Sequence, residues 1–309
     1  MNSFLFEKRI AVLCGGPSSE REVSLRSGVA VAKALRVLGA DAFEIDVQDG
    51  NFQLPTGTDL AFNALHGTFG EDGCIQAILD RKGIPYTGEG EQGSRLAFNK
   101  IESKKRFVER GVPTAPYITV KQGDIPDFPL PYVVKVPCQG SSVGVYIVKS
   151  MEERDPALEK AFSQTDNILI EAFVSGRELT VGILGEKPLP IIEIRPRGGF
   201  YSYENKYTWT NRGGAAEHEC PARLSPAEKK VVESSALAAH RALDLEVYSR
   251  TDVILEENGE AKVLEVNTIP GMTETSLLPE AAAVVGISMA RLCEWIVQLS
   301  LERRGATTR

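Results

Sequence analysis

Apolar and polar positions change period several times along the chain, and those changes divide it into elements. RIAVLCGG, residues 9–16, is a continuous apolar run closing in glycines, which predicts a strand buried on both faces. SSEREVSLRSGVAVAKALRVLG then spaces its apolar residues three and four apart behind a Ser/Glu cap, the pattern of an amphipathic helix. DAFEIDV and DLAFNALHG predict further strands and GCIQAILDRKG a helix, so strand and helix alternate to about residue 95. That alternation predicts a parallel, doubly wound first domain.

FNKIESKKRFVERGVP predicts a helix stopped by Gly111 and Pro113. Beyond it lie strand PYVVKV, a Gly/Ser loop, strand VYIVKS, an acidic helix over 152–164 and strand NILIEAFV. RELTVGIL and LPIIEI are two more apolar strands. RGGFYSYENKYTWTNRGGAAEHECP follows them with no helical period, and a loop of roughly two dozen residues is the length of a functional lid or a disordered linker. A helix over 225–243, a strand hairpin and two closing helices complete the chain.

The hairpin carries the strongest chemical signal. VYSRTDVILEE and EAKVLEVNT flank Asn258-Gly259, and a two-residue turn there pairs positions whose numbers share one sum. Glu257 then faces Glu260, Ile254 faces Val263, Asp252 faces Glu265 and Arg250 faces Asn267. Two carboxylates with Cβ atoms about 5 Å apart repel unless something joins them. With the Asn267 amide they form an oxygen set suited to Mg²⁺ or Mn²⁺ that shares its shell with phosphate. The other reading pairs Asp252 with Arg250 and leaves Glu265 at an exposed edge.

CQGSSVGV, residues 138–145, is a small-residue loop whose amides can wrap phosphate oxygens, with Lys135 on the strand before it. GxxxxGK[ST] occurs nowhere, which excludes a P-loop ATPase. GEGEQG at 88–93 matches GxGxxG by letter, but it follows YT rather than a buried strand, so it is a poor dinucleotide fingerprint.

Length changes the picture little: 309 residues suit two or three α/β units. With 35 Lys and Arg against 42 Asp and Glu and no basic block, a nucleic-acid surface is not expected. Five scattered cysteines without CxxC spacing, and three histidines, argue against structural zinc and a disulfide framework. The charged start and the lack of a run of transmembrane length predict a cytoplasmic protein without a membrane partner.

GGPSSEREVS, ALHGTFGEDG, IPYTG, GSSVGV, ENKY, RTD and LEVNTIPGMTETS, in this order, together resemble the D-alanine–D-alanine ligases of the ATP-grasp superfamily. The resemblance covers essentially the whole chain. It implies an α/β chain in which a Rossmann-like domain, 1–95, precedes two ATP-grasp α+β subdomains, 96–178 and 179–309, with the nucleotide between them and a lid at about 198–220. ATP would phosphorylate the carboxylate of one D-alanine, and the amine of a second would attack the acyl phosphate, making a peptidoglycan precursor.

The resemblance also implies residue roles. Asp252, Glu265 and Asn267 correspond to ligands of two Mg²⁺ or Mn²⁺ ions, with Glu265 bridging them. Arg250 and the backbone N–H of Gly271 correspond to the groups that stabilise the tetrahedral intermediate. Glu20 would hold the first D-alanine's ammonium, His66 would lie near it, and Ser276 and Leu277 would receive the second amino acid. Lys100, Lys135 and Lys206 would contact phosphates, with Gly140, Ser141 and Ser142 in the loop beside them. Glu171, Ala172, Phe173, Val174 and Glu178 would hold adenine and ribose. Ser141 and Tyr207 would close the site beneath the lid. The family often has VKP where this chain has VKVP, and a lysine where this chain has Ala172, which removes any side-chain contact there. A homodimer is implied by family alone. The alternatives are a D-alanine–D-lactate depsipeptide ligase, which Lys206-Tyr207 disfavours, and a nucleotide sensor without catalysis.

Overall fold

The computed structural model describes residues 3–141, 143–195, 217–303 and 305. Lys206, Tyr207, Ser142 and most of the expected lid fall outside them.

Strands β1 (Arg9–Gly15), β2 (Asp41–Val47) and β3 (Leu60–Asn63) form a parallel sheet in the order β2-β1-β3. β1 is apolar and buried beyond Arg9 because both its faces are covered. Ile10 and Val12 pack with helix α1 (Arg21–Val37), while Ala11 and Leu13 pack with helix α2 (Cys74–Lys82) on the opposite face. The doubly wound reading of this region therefore holds. Its first core does not stop at the sheet, since Ile10 and Leu35 share it with Leu184, Leu277 and Ile296 from the far end of the chain.

Helix α3 (Glu91–Phe98) begins inside GEGEQG, with Gly90 as its N-cap. The buried Glu89 carboxylate in this loop accepts backbone N–H groups of Glu246, Val247 and Tyr248, at 2.7 Å for Val247. The letters of a dinucleotide motif thus serve to dock the first unit on the third. Helix α4 (Lys100–Glu109) follows, capped by the Asn99 side chain.

The second sheet is antiparallel, β4-β7-β5-β6, built from β4 (Tyr117–Lys121), β5 (Tyr132–Lys135), β6 (Val145–Val148) and β7 (Asn167–Ala172). Helix α5 (Met151–Phe162) covers one face through Ala157 and Ala161. YITVK carries the apolar–polar alternation of a half-covered strand, and sequence reading passed over it.

The third sheet runs β11-β10-β8-β12-β13, with β9 pairing β8. Its strands are β8 (Arg177–Leu184), β9 (Lys187–Pro188), β10 (Ile192–Arg195), β11 (Glu217–Glu219), β12 (Tyr248–Leu255) and β13 (Ala261–Asn267). Helix α6 (Pro226–Ala242) buries Val232, Ala236 and Ala239 against this sheet, and Phe107 of α4 joins the same core. The helix starts at a capping box in which Ser225 and Glu228 satisfy each other's backbone N–H. Helices α7 (Leu277–Val284) and α8 (Met289–Arg303) close the fold against β8 and α1. Among the described residues no single helix is long and apolar enough to cross a membrane.

The β12–β13 hairpin corrects the expected turn. Glu256 N–H donates to the Glu260 carbonyl and Gly259 N–H to the Glu256 carbonyl, so the loop is Glu257-Asn258-Gly259 rather than Asn258-Gly259 alone. Gly259, at φ +84°, takes the left-handed position that ends such a three-residue turn. Val253 accordingly faces Val263 and Ile254 faces Lys262, one step from the expected pairs, and Glu257 does not face Glu260. The register then shifts between Asp252 and Val253, and beyond the shift Asp252 faces Glu265 and Arg250 faces Asn267 as expected. An extra residue in β13 restores what the extra turn residue displaced. Segment 113–114 meets β13 at the shift, with Val263 N–H donating to the Pro113 carbonyl and Thr114 Oγ1 donating to the Val263 carbonyl at 2.7 Å.

Candidate active site

Two cavities meet at Glu265, which lines both. The smaller, about 120 Å³, lies between the first unit and the third. The larger, about 460 Å³, lies between the two antiparallel sheets.

The smaller cavity is built mostly from loops. Glu20, only 8 % exposed, lies just before α1, and the Ser141 hydroxyl donates to its carboxylate. Gly140 allows this approach, because a Cβ there would stand 2.5 Å from Glu20 Oε2. The loop 138–144 therefore reaches across to the first unit, and Gly140 and Ser141 line the smaller cavity rather than the larger one. His66 follows β3, with Nδ1 3.1 Å from the Ile269 carbonyl and Nε2 3.1 Å from Ser27 Oγ. A carbonyl can only accept, so Nδ1 carries the proton toward Ile269, and Nε2 lies within hydrogen-bonding distance of Ser27. Ser27 Oγ in turn accepts the Met272 N–H at 3.2 Å, which ties α1 to the loop holding Gly271.

Glu71, also on this cavity, lies within HGTFGEDG, where no local pattern marks it as functional. It accepts the Gly67 N–H at 3.1 Å and stands 3.7 Å from His66 Nδ1. Burial holds its pKa above the usual carboxylate range, with the Glu20 charge adding to the rise and His66 and the Gly67 N–H opposing it. On the opposite wall Ser276 precedes α7, its Oγ accepting the Thr273 N–H at 2.9 Å, and Leu277 begins the helix. Gly271 lies so close that a Cβ there would stand 2.9 Å from Ser276 Oγ. His218 and Arg26 reach the same cavity and had no signal in the pattern; His218 Nδ1 is 3.3 Å from Glu280.

The hairpin supplies the floor. Arg250 grips Asp252 through two bonds of 3.0 Å, and Thr180 Oγ1 donates to Asp252 at 2.6 Å. Asn267 Nδ2 lies 3.4 Å from the same carboxylate. Lys100 Nζ is 3.1 Å from Glu265 and 2.6 Å from the Gln139 carbonyl, joining the hairpin to the Gly/Ser loop. Both readings of the hairpin are thus partly present: Asp252 is paired with Arg250, and Glu265 is turned into the site rather than left at an edge. Among the described residues no three His, Cys, Asp or Glu side chains cluster as a metal site. The set here is two carboxylates and an amide, all hard oxygen donors, which fits Mg²⁺ or Mn²⁺ completed by phosphate and does not fit zinc.

The larger cavity is lined by Lys100, Lys135, Glu178 and the segment Glu171 to Val174, all named from the sequence. Glu171 is buried between two lysines. Lys135 contacts one oxygen, and Lys104 Nζ lies 2.7 Å from the other. Burial opposes ionisation of Glu171, but the two ammonium groups outweigh it and hold the carboxyl below its usual range. Burial pulls the Lys104 pKa down while the Glu171 charge pushes it up. Lys104 was missed, although it stands four residues after Lys100 and so shares its helix face.

Two antiparallel sheets thus enclose a cavity lined by cations, beside a smaller one of amino-acid size. Models of the D-ala D-ala ligase N-terminus and C-terminus match residues 40–89 and 107–298. The D-alanine–D-alanine ligase of Methylacidiphilum infernorum is 47 % identical over 296 residues, spanning 96 % of each chain. That of Citrifermentans bemidjiense is 48 % identical over 298 residues, 95 % of this chain and 96 % of the relative. The crystal structure of D-alanine–D-alanine ligase from Bacillus anthracis complexed with ATP superposes with a TM-score of 0.83 at 32 % identity, covering 96 % of this chain and 99 % of that one. The VanG D-Ala:D-Ser ligase from Enterococcus faecalis gives 0.82 at 26 % identity, with 95 % and 99 % covered. The chain belongs to the D-alanine–D-alanine ligase family.

Proposed function

We propose that this chain joins two D-alanine molecules at the expense of ATP, with the residues named above in definite roles. The observation that carries the assignment is Glu265, shared by a cavity of amino-acid size and one of nucleotide size. A γ-phosphoryl group leaving ATP meets the first substrate's carboxylate only at such a junction, and bringing two anions together is the hard part of the reaction.

Glu20 receives the ammonium of the first D-alanine beside His66, which fixes the carboxylate toward the larger cavity. Phosphoryl transfer makes an acyl phosphate. Ser276 and Leu277 hold the second D-alanine; its ammonium loses a proton, and the amine attacks the carbonyl carbon. Arg250 and the Gly271 N–H oppose the charge on the tetrahedral oxygen until phosphate leaves and the peptide bond remains. Asp252, Glu265 and Asn267 would hold two Mg²⁺ or Mn²⁺ ions, which neutralise phosphate charge when bound. Lys100 and Lys135 contact phosphates, with Lys206 and Ser142 assigned beside them. Glu171, Ala172, Phe173, Val174 and Glu178 take the adenosine. Tyr207 with Ser141 closes the site, excluding water that would hydrolyse the acyl phosphate.

The division 1–95, 96–178 and 179–309, a homodimeric state and a cytoplasmic location belong to the same proposal; the homodimer rests on family membership and the location on the charged start and the scattered cysteines. Phosphate release from ATP with Mg²⁺ tests the core of it, measured with D-alanine alone and with D-lactate added. D-alanine alone should release phosphate and yield the dipeptide by mass. No release under either condition would sink the ligase assignment, and a depsipeptide as main product would replace the dipeptide reading.

A further inference from the structure

Lys104 has no part in the reaction proposed above, yet its side chain is only 1 % exposed. A buried carboxylate is adequately matched by one cation, and Glu171 already has Lys135. The second lysine is therefore surplus to burial. It comes from α4, outside the sheet that carries Glu171 and Lys135, and its ammonium also donates to Thr114 Oγ1. Glu171 and Lys135 line the larger cavity, whereas Lys104 lies behind them.

Counted as formal charges, two ammonium groups around one carboxylate give the cluster +1, the two ion pairs holding Lys104 charged against the burial that lowers its pKa. With Lys104 absent, Glu171 and Lys135 would close into a neutral pair, and the lysine on the cavity wall would be held by the carboxylate from both sides of its hydrogen-bonding reach. We infer that Lys104 is a positioning residue of the nucleotide site: by taking one oxygen of Glu171 it leaves positive charge on Lys135 for the polyphosphate. The inference rests on the ATP reading and extends it to a residue that touches no nucleotide.

The test is calorimetric binding of ATP and of uncharged adenosine to the full chain, without D-alanine and without added metal. Lys104→Met should weaken ATP about tenfold, from the loss of one charge at close range in a partly desolvated site, and leave adenosine within a factor of about two. Lys104→Arg should restore ATP binding. Lys104→Met combined with Glu171→Gln returns the cluster to +1 and should recover the ATP-to-adenosine ratio, whatever it does to adenosine itself. Should Lys104→Met fail to fold, Glu171→Gln alone, at +2, should raise that ratio above the wild type, and an unchanged ratio overturns the inference. Equal weakening of ATP and adenosine in a folded Lys104→Met would mean a merely structural lysine and also overturn it. Wild-type protein that bound no ATP would sink the proposed function and this inference together, whereas ATP binding indifferent to residue 104 sinks the inference alone.

Discussion

On the nucleotide side of Glu265, carboxylates face cations: Glu171 has Lys104 and Lys135, Asp252 has Arg250, and Glu265 itself has Lys100. On the amino-acid side, Glu20 is met by the Ser141 hydroxyl and the bare edge of Gly140, and Glu71 by an amide N–H and the His66 ring. The first arrangement carries positive charge ready for a polyanion. The second keeps negative charge in reserve for an ammonium group. The two also differ in construction, since strands and a helix deliver the cation-matched groups while loops of the first unit and the 138–144 loop deliver the others. On the proposed assignment, a zwitterion and a nucleotide would be sorted by charge before any contact of shape is made.

Breaking the junction should have the largest effect. Glu265→Gln keeps the size of the side chain, removes its charge from both cavities and leaves Lys100 unmatched. We expect kcat to fall by roughly 1,000-fold or more, with circular dichroism unchanged, because the group acts where phosphoryl charge moves. Turnover within about tenfold of wild type would show that the two cavities do not share their chemistry through this residue. A smaller and more selective effect should follow Glu20→Gln. If Glu20 receives the substrate ammonium as proposed, its loss should raise the KM for D-alanine at the first subsite by roughly 30-fold. The KM for ATP should move by no more than about twofold, and an equal rise in both would erase the charge sorting.

The strand-borne half of this comparison was far more legible in the sequence than the loop-borne half. Strand pairing follows from period and turn chemistry, so Asp252 could be set opposite Glu265 from the letters alone, and the structure agrees. It agrees by compensation, however. The turn takes Glu257 as well as Asn258-Gly259, and the extra residue at Leu264 restores the register before the carboxylates. A long-range contact, segment 113–114 on Val263, sits at that irregularity, and no local pattern announces such a contact. Lys104 was hidden for a related reason: a lysine in a charged helix reads as solvated until β7 is folded over it. Glu71, His218 and Arg26 converge only when the two ends of the chain share a core, which periodicity does not describe. Family resemblance supplied Glu20 and Ser276, whose roles no spacing rule would have assigned.

The smallest expected effect probes the reserve of negative charge directly. Burial raises the pKa of Glu71, so the native state prefers the protonated carboxyl more than the unfolded chain does. The stability this contributes is complete below the ordinary glutamate value of about 4.3 and is lost as pH climbs through the raised native value. Glu71→Gln removes the titration while keeping an acceptor for the Gly67 N–H. Melting temperatures of both proteins, followed from about pH 4 to about pH 8, should therefore separate progressively, the variant gaining on the wild type as pH rises. The difference should level off once the native carboxyl has ionised. A difference that stays flat, or that favours the wild type with rising pH, would mean that Glu71 is charged at little cost. The amino-acid cavity would then hold Glu71 as comfortably as the nucleotide cavity holds Glu171, with an amide N–H and a histidine in place of two lysines.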